Sequence, residues 1–136
     1  MYNGRCLCNA IQFQVSGEPR SVHYCHCRIC RRTTGSAFAV LAWFPTRSVV
    51  WRGLAPVERR SSDIAERAFC GRCGSPLFLK FDDSPEIGLM LGAFDRPDLL
   101  VLAYHYGVEA RLPWIEVGSV LTEQATQRPI HPPATA

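Results

Sequence analysis

Cys25-His26-Cys27-Arg28-Ile29-Cys30 packs three thiols into six residues, and two pairs accompany it: Cys6-Leu7-Cys8 upstream and Cys70-Gly71-Arg72-Cys73-Gly74 downstream. All seven cysteines of the chain lie in these three clusters. An odd cysteine count without a secretory signal argues against a disulfide framework. Inert buried thiols would scatter through apolar strands, whereas these keep spacings of two and three beside Gly, Arg and His. Metal binding accounts for the spacing. In extended chain, residues i and i+2 face the same way roughly 6.5–7 Å apart, so Cys6 and Cys8 can address one ion. Zinc needs its sulfurs about 2.3 Å away, within reach of two short side chains. Cys70 to Gly74 reads as a turn whose glycines accept a positive φ and let backbone N–H groups approach the thiolates. The two pairs together give four thiolates, a closed tetrahedral site. The trio gives three ligands and an open position, the ligand count of a reactive zinc centre. A closed second site is the alternative, with His23, His26 or His105 as the fourth ligand.

Two other readings of the cysteines are weaker. A thioredoxin-like role for Cys70 and Cys73 calls for a helix after the motif, but Ser75 to Phe81 reads as a strand. An iron–sulfur cluster also uses four thiolates, although two pairs far apart in the chain suit structural zinc better.

The length of 136 residues fits one domain. Hydrophobic residues at 47% and charged residues at 20% exclude a disordered or fibrous chain. A net charge of +3 is too small to argue for nucleic acid, and no long recognition helix is legible. Apolar runs such as 38–45 and 99–103 are strand-sized, so no membrane span is expected. The N-terminal MYNGRCLC has no charged start followed by an apolar run. No signal peptide is therefore expected, and the reducing cytoplasm is the expected compartment.

Periodicity predicts a mainly β chain with little helix. Ile11, Phe13 and Val15 alternate along a strand from Ala10 to Val15. Ser21 to Tyr24 reads as a short strand that delivers the trio. Arg28 to Thr34 suits one or two helical turns closed by Gly35. Ala37 to Phe44 reads as a buried strand stopped by Pro45. Further strands are expected over 49–52, 57–60, 66–70, 77–81, 86–91, 103–108 and 114–117. Asp95 to Asp98 starts a turn with Pro near its first position. The domain is taken as residues 1–121, and the Pro-rich segment 122–136 reads as a loose C-terminal tail.

Gly4-x-Cys6-x-Cys8, Cys25-His-Cys-x-x-Cys30-Arg-Arg32, Gly35, Phe69-Cys-x-x-Cys73-Gly74 and Arg111-Leu-Pro-Trp114 occur in that order from about Gly4 to Val117. The ensemble resembles the glutathione-dependent formaldehyde-activating enzyme family, also called the centromere protein V domain family. The resemblance implies a β-tent of packed antiparallel sheets with two zinc ions per chain. It implies that Cys6, Cys8, Cys70 and Cys73 hold a structural zinc, and that Cys25, Cys27 and Cys30 hold a second zinc with an exchangeable fourth position. The implied activity is that of S-(hydroxymethyl)glutathione synthase, a carbon–sulfur lyase joining glutathione and formaldehyde. The family usually has Gly after its second cysteine, where this chain has Asn9. Asn is the commonest non-Gly residue in left-handed backbone, so the turn is expected to survive.

An open metal position suggests a mechanism: a thiol enters as fourth ligand, is held as thiolate, and attacks an adjacent aldehyde carbonyl. Three thiolates around a divalent ion leave a net negative site, which nearby arginines would offset. Arg28, Arg31 and Arg32 are candidates to grip the carboxylate of a small-molecule thiol such as glutathione, or else are solvated surface charges. His26 lies between two ligands and should point away from the metal, with proton transfer as its candidate catalytic role. Tyr104 and Tyr106 face opposite to His105 in an extended strand, so the three cannot share a pocket. Trp43, Phe38 and Trp114 read as core. The alternative function is a zinc-stabilised module that binds a thiol or a partner without turnover. Nothing in the sequence speaks to oligomeric state.

Overall fold

A computed structural model describes residues 1–128. Among these, β1 (Tyr2–Arg5), β2 (Ile11–Val15) and β5 (Val49–Gly53) form a three-stranded antiparallel sheet in the order β1-β2-β5. An eight-stranded sheet holds β3 (Ser21–Cys25), β4 (Ala39–Pro45), β6 (Val57–Arg60), β7 (Ala65–Phe69), β8 (Pro76–Phe81), β9 (Glu86–Met90), β10 (Tyr104–Tyr106) and β11 (Thr122–Gln124). Its order is β11-β10-β3-β4-β9-β8-β7-β6. One α-helix, α1 (Arg28–Thr34), follows β3 among the described residues. The chain is therefore mainly β, as its periodicity predicts.

Strand alternation splits the large sheet into two working faces. On β4, Ala42 and Phe44 face the small sheet and join Ile11, Phe13 and Val15 of β2, Ile87 and Leu89 of β9, and Phe94 in the main core. Ala39, Leu41 and Trp43 face the other way, into a second cluster with Cys25, Cys30, Ala65, Leu79 and Met90. That second face carries the cysteine trio. The small sheet covers one side of the large sheet and leaves the other to build a cavity.

The structure departs from the sequence expectations in several places. β10 runs parallel to both β3 and β11, so the large sheet is mixed rather than purely antiparallel. Parallel neighbours need a long crossover, and residues 91–103 and 107–121 supply those connections. The expected strand Trp114–Val117 is a turn, with Ile115 N–H donating to Leu112 O at 3.1 Å. The outer edge of β10 is taken instead by Thr122–Gln124. These three residues were expected in a loose tail; residues 129–136 of that tail lie outside the described residues. Trp114, expected in the core, is 68% exposed. β1 was not expected, because Tyr-Asn-Gly-Arg shows no alternation; it forms by pairing with β2 along its whole length.

Candidate metal centre and cavity

Two turns build the four-cysteine cluster. Cys6 and Cys8 sit on a tight turn, not on the extended segment their spacing suggested. Asn9 N–H donates to Cys6 O at 3.1 Å, and Ile11 N–H reaches Cys6 Sγ at 3.3 Å. Asn9 holds a left-handed φ of 65°, as expected where the family has Gly. Cys70 and Cys73 lie on the turn closed by Gly74 N–H to Cys70 O at 2.8 Å. Ser75 ties the halves together: its Oγ accepts from Leu7 N–H at 3.0 Å and sits 3.2 Å from Cys73 Sγ. The Ser75 hydroxyl and N–H, with Cys8 N–H, hold the Cys73 thiol down to about 5.

Cys25 ends β3, and Cys27 is the N-cap of α1, its sulfur accepting from Cys30 N–H at 3.3 Å. One helical turn then returns Cys30 to the same point. Gly35 closes the helix in left-handed backbone at φ 66°, its N–H on Arg31 O. The Cys25 thiol donates to Cys27 Sγ at 3.5 Å. The sulfurs of Cys25 and Cys30, together with Cys30 N–H and the Arg67 charge, hold Cys27 down to about 2. Cys25 is pushed strongly upward by the Cys27 and Cys30 sulfurs and by burial. Three packed sulfurs cannot all ionise without a cation to share their charge.

Both clusters fit a metal ion. A tetrahedral ion bound to thiolates at about 2.3 Å places its sulfurs about 3.8 Å apart. Cys6 and Cys8 are 3.6 Å apart, Cys8 and Cys70 3.8 Å, and Cys25 and Cys27 3.5 Å. Within each cluster all the sulfurs lie within 4.8 Å of one another, and the seven cysteines are free thiols. Among the described residues, no histidine or carboxylate joins either set.

The candidate fourth ligands are engaged elsewhere. His23 Nε2 accepts from Trp43 Nε1–H at 2.8 Å, so its Nδ1–H donates to Tyr24 O at 3.0 Å. Burial keeps that imidazole below its ordinary range and neutral. His26 points away from the trio, as expected, with Nε2 2.9 Å from His105 Nδ1. His105 Nε2 in turn meets Gly118 O at 2.9 Å. Burial brings His26 down to about 4.

The trio opens into a cavity of about 310 Å³ between β3, β4, β7, β10 and the C-terminal segment. Its wall is largely aromatic and aliphatic: Leu41, Trp43, Leu79, Phe81, Tyr104 and Tyr106. Trp43 stacks on Phe81 at 5.8 Å between centroids, and His23 on Tyr104 at 4.8 Å. Tyr104 and Tyr106 share this wall, while His105 lies on the opposite face with His26. Phe38 is half-buried against Tyr24 and His26, outside the cavity.

Arg28, Arg31 and Arg32 do not line the cavity. Arg28 and Arg32 are exposed, and Arg31 donates to Ala110 O at 2.8 Å. The arginines that do reach it are Arg67 from β7 and Arg128 from the C-terminal segment. Sequence reasoning missed both. Arg67 shares a strand face with Ala65, and a charged residue on an inward face was the signal available.

The sequence profile of the glutathione-dependent formaldehyde-activating enzyme family matches residues 1–106. The chain belongs to this family. A Halomonas elongata protein, provisionally named as a glutathione-dependent formaldehyde-activating enzyme, is 30% identical over 132 residues, covering 88% of this chain and 82% of that protein. An uncharacterized lyase from Schizosaccharomyces pombe is 34% identical over 80 residues, or 59% of this chain. That alignment spans 58% of the yeast protein's length. A crystal structure of a Rhodobacter sphaeroides protein shares the fold, with a TM-score of 0.56 at 19% identity, covering 90% of this chain and 98% of that one. No described helix is long and apolar enough to cross a membrane.

Proposed function

We propose that this chain is a zinc-dependent enzyme of the S-(hydroxymethyl)glutathione synthase type, a carbon–sulfur lyase that makes or breaks the adduct of a thiol with an aldehyde. Cys6, Cys8, Cys70 and Cys73 hold a structural zinc, and Cys25, Cys27 and Cys30 hold a second one, giving two per chain. One observation carries the reading: three buried or half-buried sulfurs converge on a cavity, and among the described residues no fourth protein donor joins them. A closed structural site would need that donor.

The bound ion supplies one thing, a positive charge that keeps a thiol ionised at neutral pH. The chain does the rest. α1 and β3 fix the three sulfurs, the aromatic wall excludes water, and the cavity mouth admits a small thiol such as glutathione. The nucleophilic sulfur forms a bond to the aldehyde carbon, the carbonyl π pair moves onto oxygen, and a proton from solvent completes the hydroxyl. The reverse step returns that proton and the C–S electron pair. The reading places the enzyme in the cytoplasm, where thiols stay reduced.

Thiols add to formaldehyde unaided, so the test is a rate above background. Wild type should accelerate adduct formation, and Cys27→Ser should lose that acceleration while still folding. Equal rates for both would leave a thiol-binding module without turnover. Elemental analysis should return two zinc ions per chain.

A further inference from the structure

Arg67 is the buried charge that the site above leaves without an explanation. The residue is 8% exposed. Its Nη2–H donates to Cys30 Sγ at 3.3 Å. Its Nε and Nη1 have no hydrogen-bond partner among the described residues, and no carboxylate there pairs with it. A guanidinium in that state is costly unless negative charge lies beside it. The sulfur trio, which Arg67 touches through Cys30, is the negative charge available.

Formal charge then gives the guanidinium a task. Three thiolates and a divalent ion sum to minus one. Arg67 brings the cluster to zero. An anion approaching from the cavity meets a neutral site rather than a negative one. We infer that Arg67 is the built-in counter-ion of the trio, a positioning residue that lets the open coordination position accept an anionic ligand such as a thiolate. It acts through the Cys30 sulfur, to which its Nη2–H is bonded. The inference rests on the proposed function for the metal and the thiol, and adds the residue that tunes the site's charge. β7 makes the arrangement possible, because it carries Arg67 beneath the trio and runs on into Cys70 of the other cluster.

The test loads wild type, Arg67→Met and Arg67→Lys with cobalt(II) and follows the metal's absorption. Azide serves as an anionic probe, imidazole as a neutral one, and glutathione as the thiol. Circular dichroism and two metals per chain establish that the variants fold and load. Arg67→Met should bind azide and glutathione roughly tenfold to a hundredfold more weakly. Imidazole affinity should change by less than about threefold, because a neutral ligand does not feel the lost charge. Arg67→Lys should recover most of the anion affinity. Equal azide affinity in wild type and Arg67→Met overturns the inference, as does parallel loss of azide and imidazole, or loss of the trio's metal in Arg67→Met, which would mark a purely structural residue. Absence of any azide signal in wild type also overturns it. If azide responds as expected but glutathione leaves the wild-type spectrum unchanged, the counter-ion stands and the thiol-adduct function falls.

Discussion

Single residues decide whether each cysteine cluster closes. Asn9 is the clearest case, since its backbone is left-handed at φ 65° in the turn that aims Cys6 and Cys8. Asn tolerates that conformation, Gly accepts it freely, and a β-branched residue pays heavily for it. Asn9→Gly should change stability by less than about 0.5 kcal/mol, and Asn9→Val should cost about 1–2 kcal/mol, both read from urea unfolding of the zinc-loaded protein. The two clusters should also separate by mutation. Cys70 is fully buried at the junction of β7 and β8, in contact with the main core. Cys70→Ser should lose the structural metal and unfold the chain, because metal binding there is folding energy. Cys30→Ser should lose the second metal and keep native circular dichroism. Identical unfolding of both variants would make the trio structural as well.

Much of this was legible at the level of elements. The trio's geometry is local, because β3, the N-cap and one helical turn put three nearby sulfurs together without tertiary help. Gly35 ends α1 where its sequence suggests. The pairing of Cys6 and Cys8 with Cys70 and Cys73 follows from ligand count. The inward charge at Arg67 was legible, but its meeting with the trio was not, because the tertiary fold, not spacing, brings β7 to Cys30. Nor do three residues such as Tyr104–Tyr106 announce a parallel edge, since that depends on where the crossovers run. Register also explains the flat seat of Trp43, which pairs with Gly88 of β9. A Cβ on Gly88 would lie 2.9 Å from the indole ring. Gly88→Ala should therefore tilt Trp43, weaken its bond to His23 and cost about 1–3 kcal/mol by overpacking. Tryptophan fluorescence should shift, glutathione binding should weaken with it, and zinc content should stay at wild type. An unchanged spectrum and affinity would mean that the wall has slack which the close contact denies.

At the scale of the whole molecule, the two faces of the large sheet divide stability from chemistry, and the C-terminal segment belongs to the second. β11 is exposed at all three residues and adds little apolar burial. Beyond its backbone pairing with β10, the segment's side-chain ties are surface contacts: Arg111 with Glu123, Thr126 with Glu109, and Arg128 with Asp83 at 2.8 Å. Such pairs contribute about 0–1 kcal/mol each. Yet Thr126, Gln127 and Arg128 line the cavity, with Gln127 N–H on Tyr106 Oη at 2.9 Å and the Arg128 guanidinium 5.3 Å from the Phe81 ring. A chain ending at Leu121 should therefore fold, bind two zinc ions and unfold within about 2 kcal/mol of the full chain. Its cavity would stand open on one side, so glutathione should bind roughly tenfold more weakly and leave faster, since fewer contacts bury it. Isothermal titration of both lengths, after equal zinc loading, reads the difference. If the shortened chain binds glutathione as the full chain does, the segment only decorates the sheet edge. If it fails to fold, β11 carries packing energy that its exposure denies.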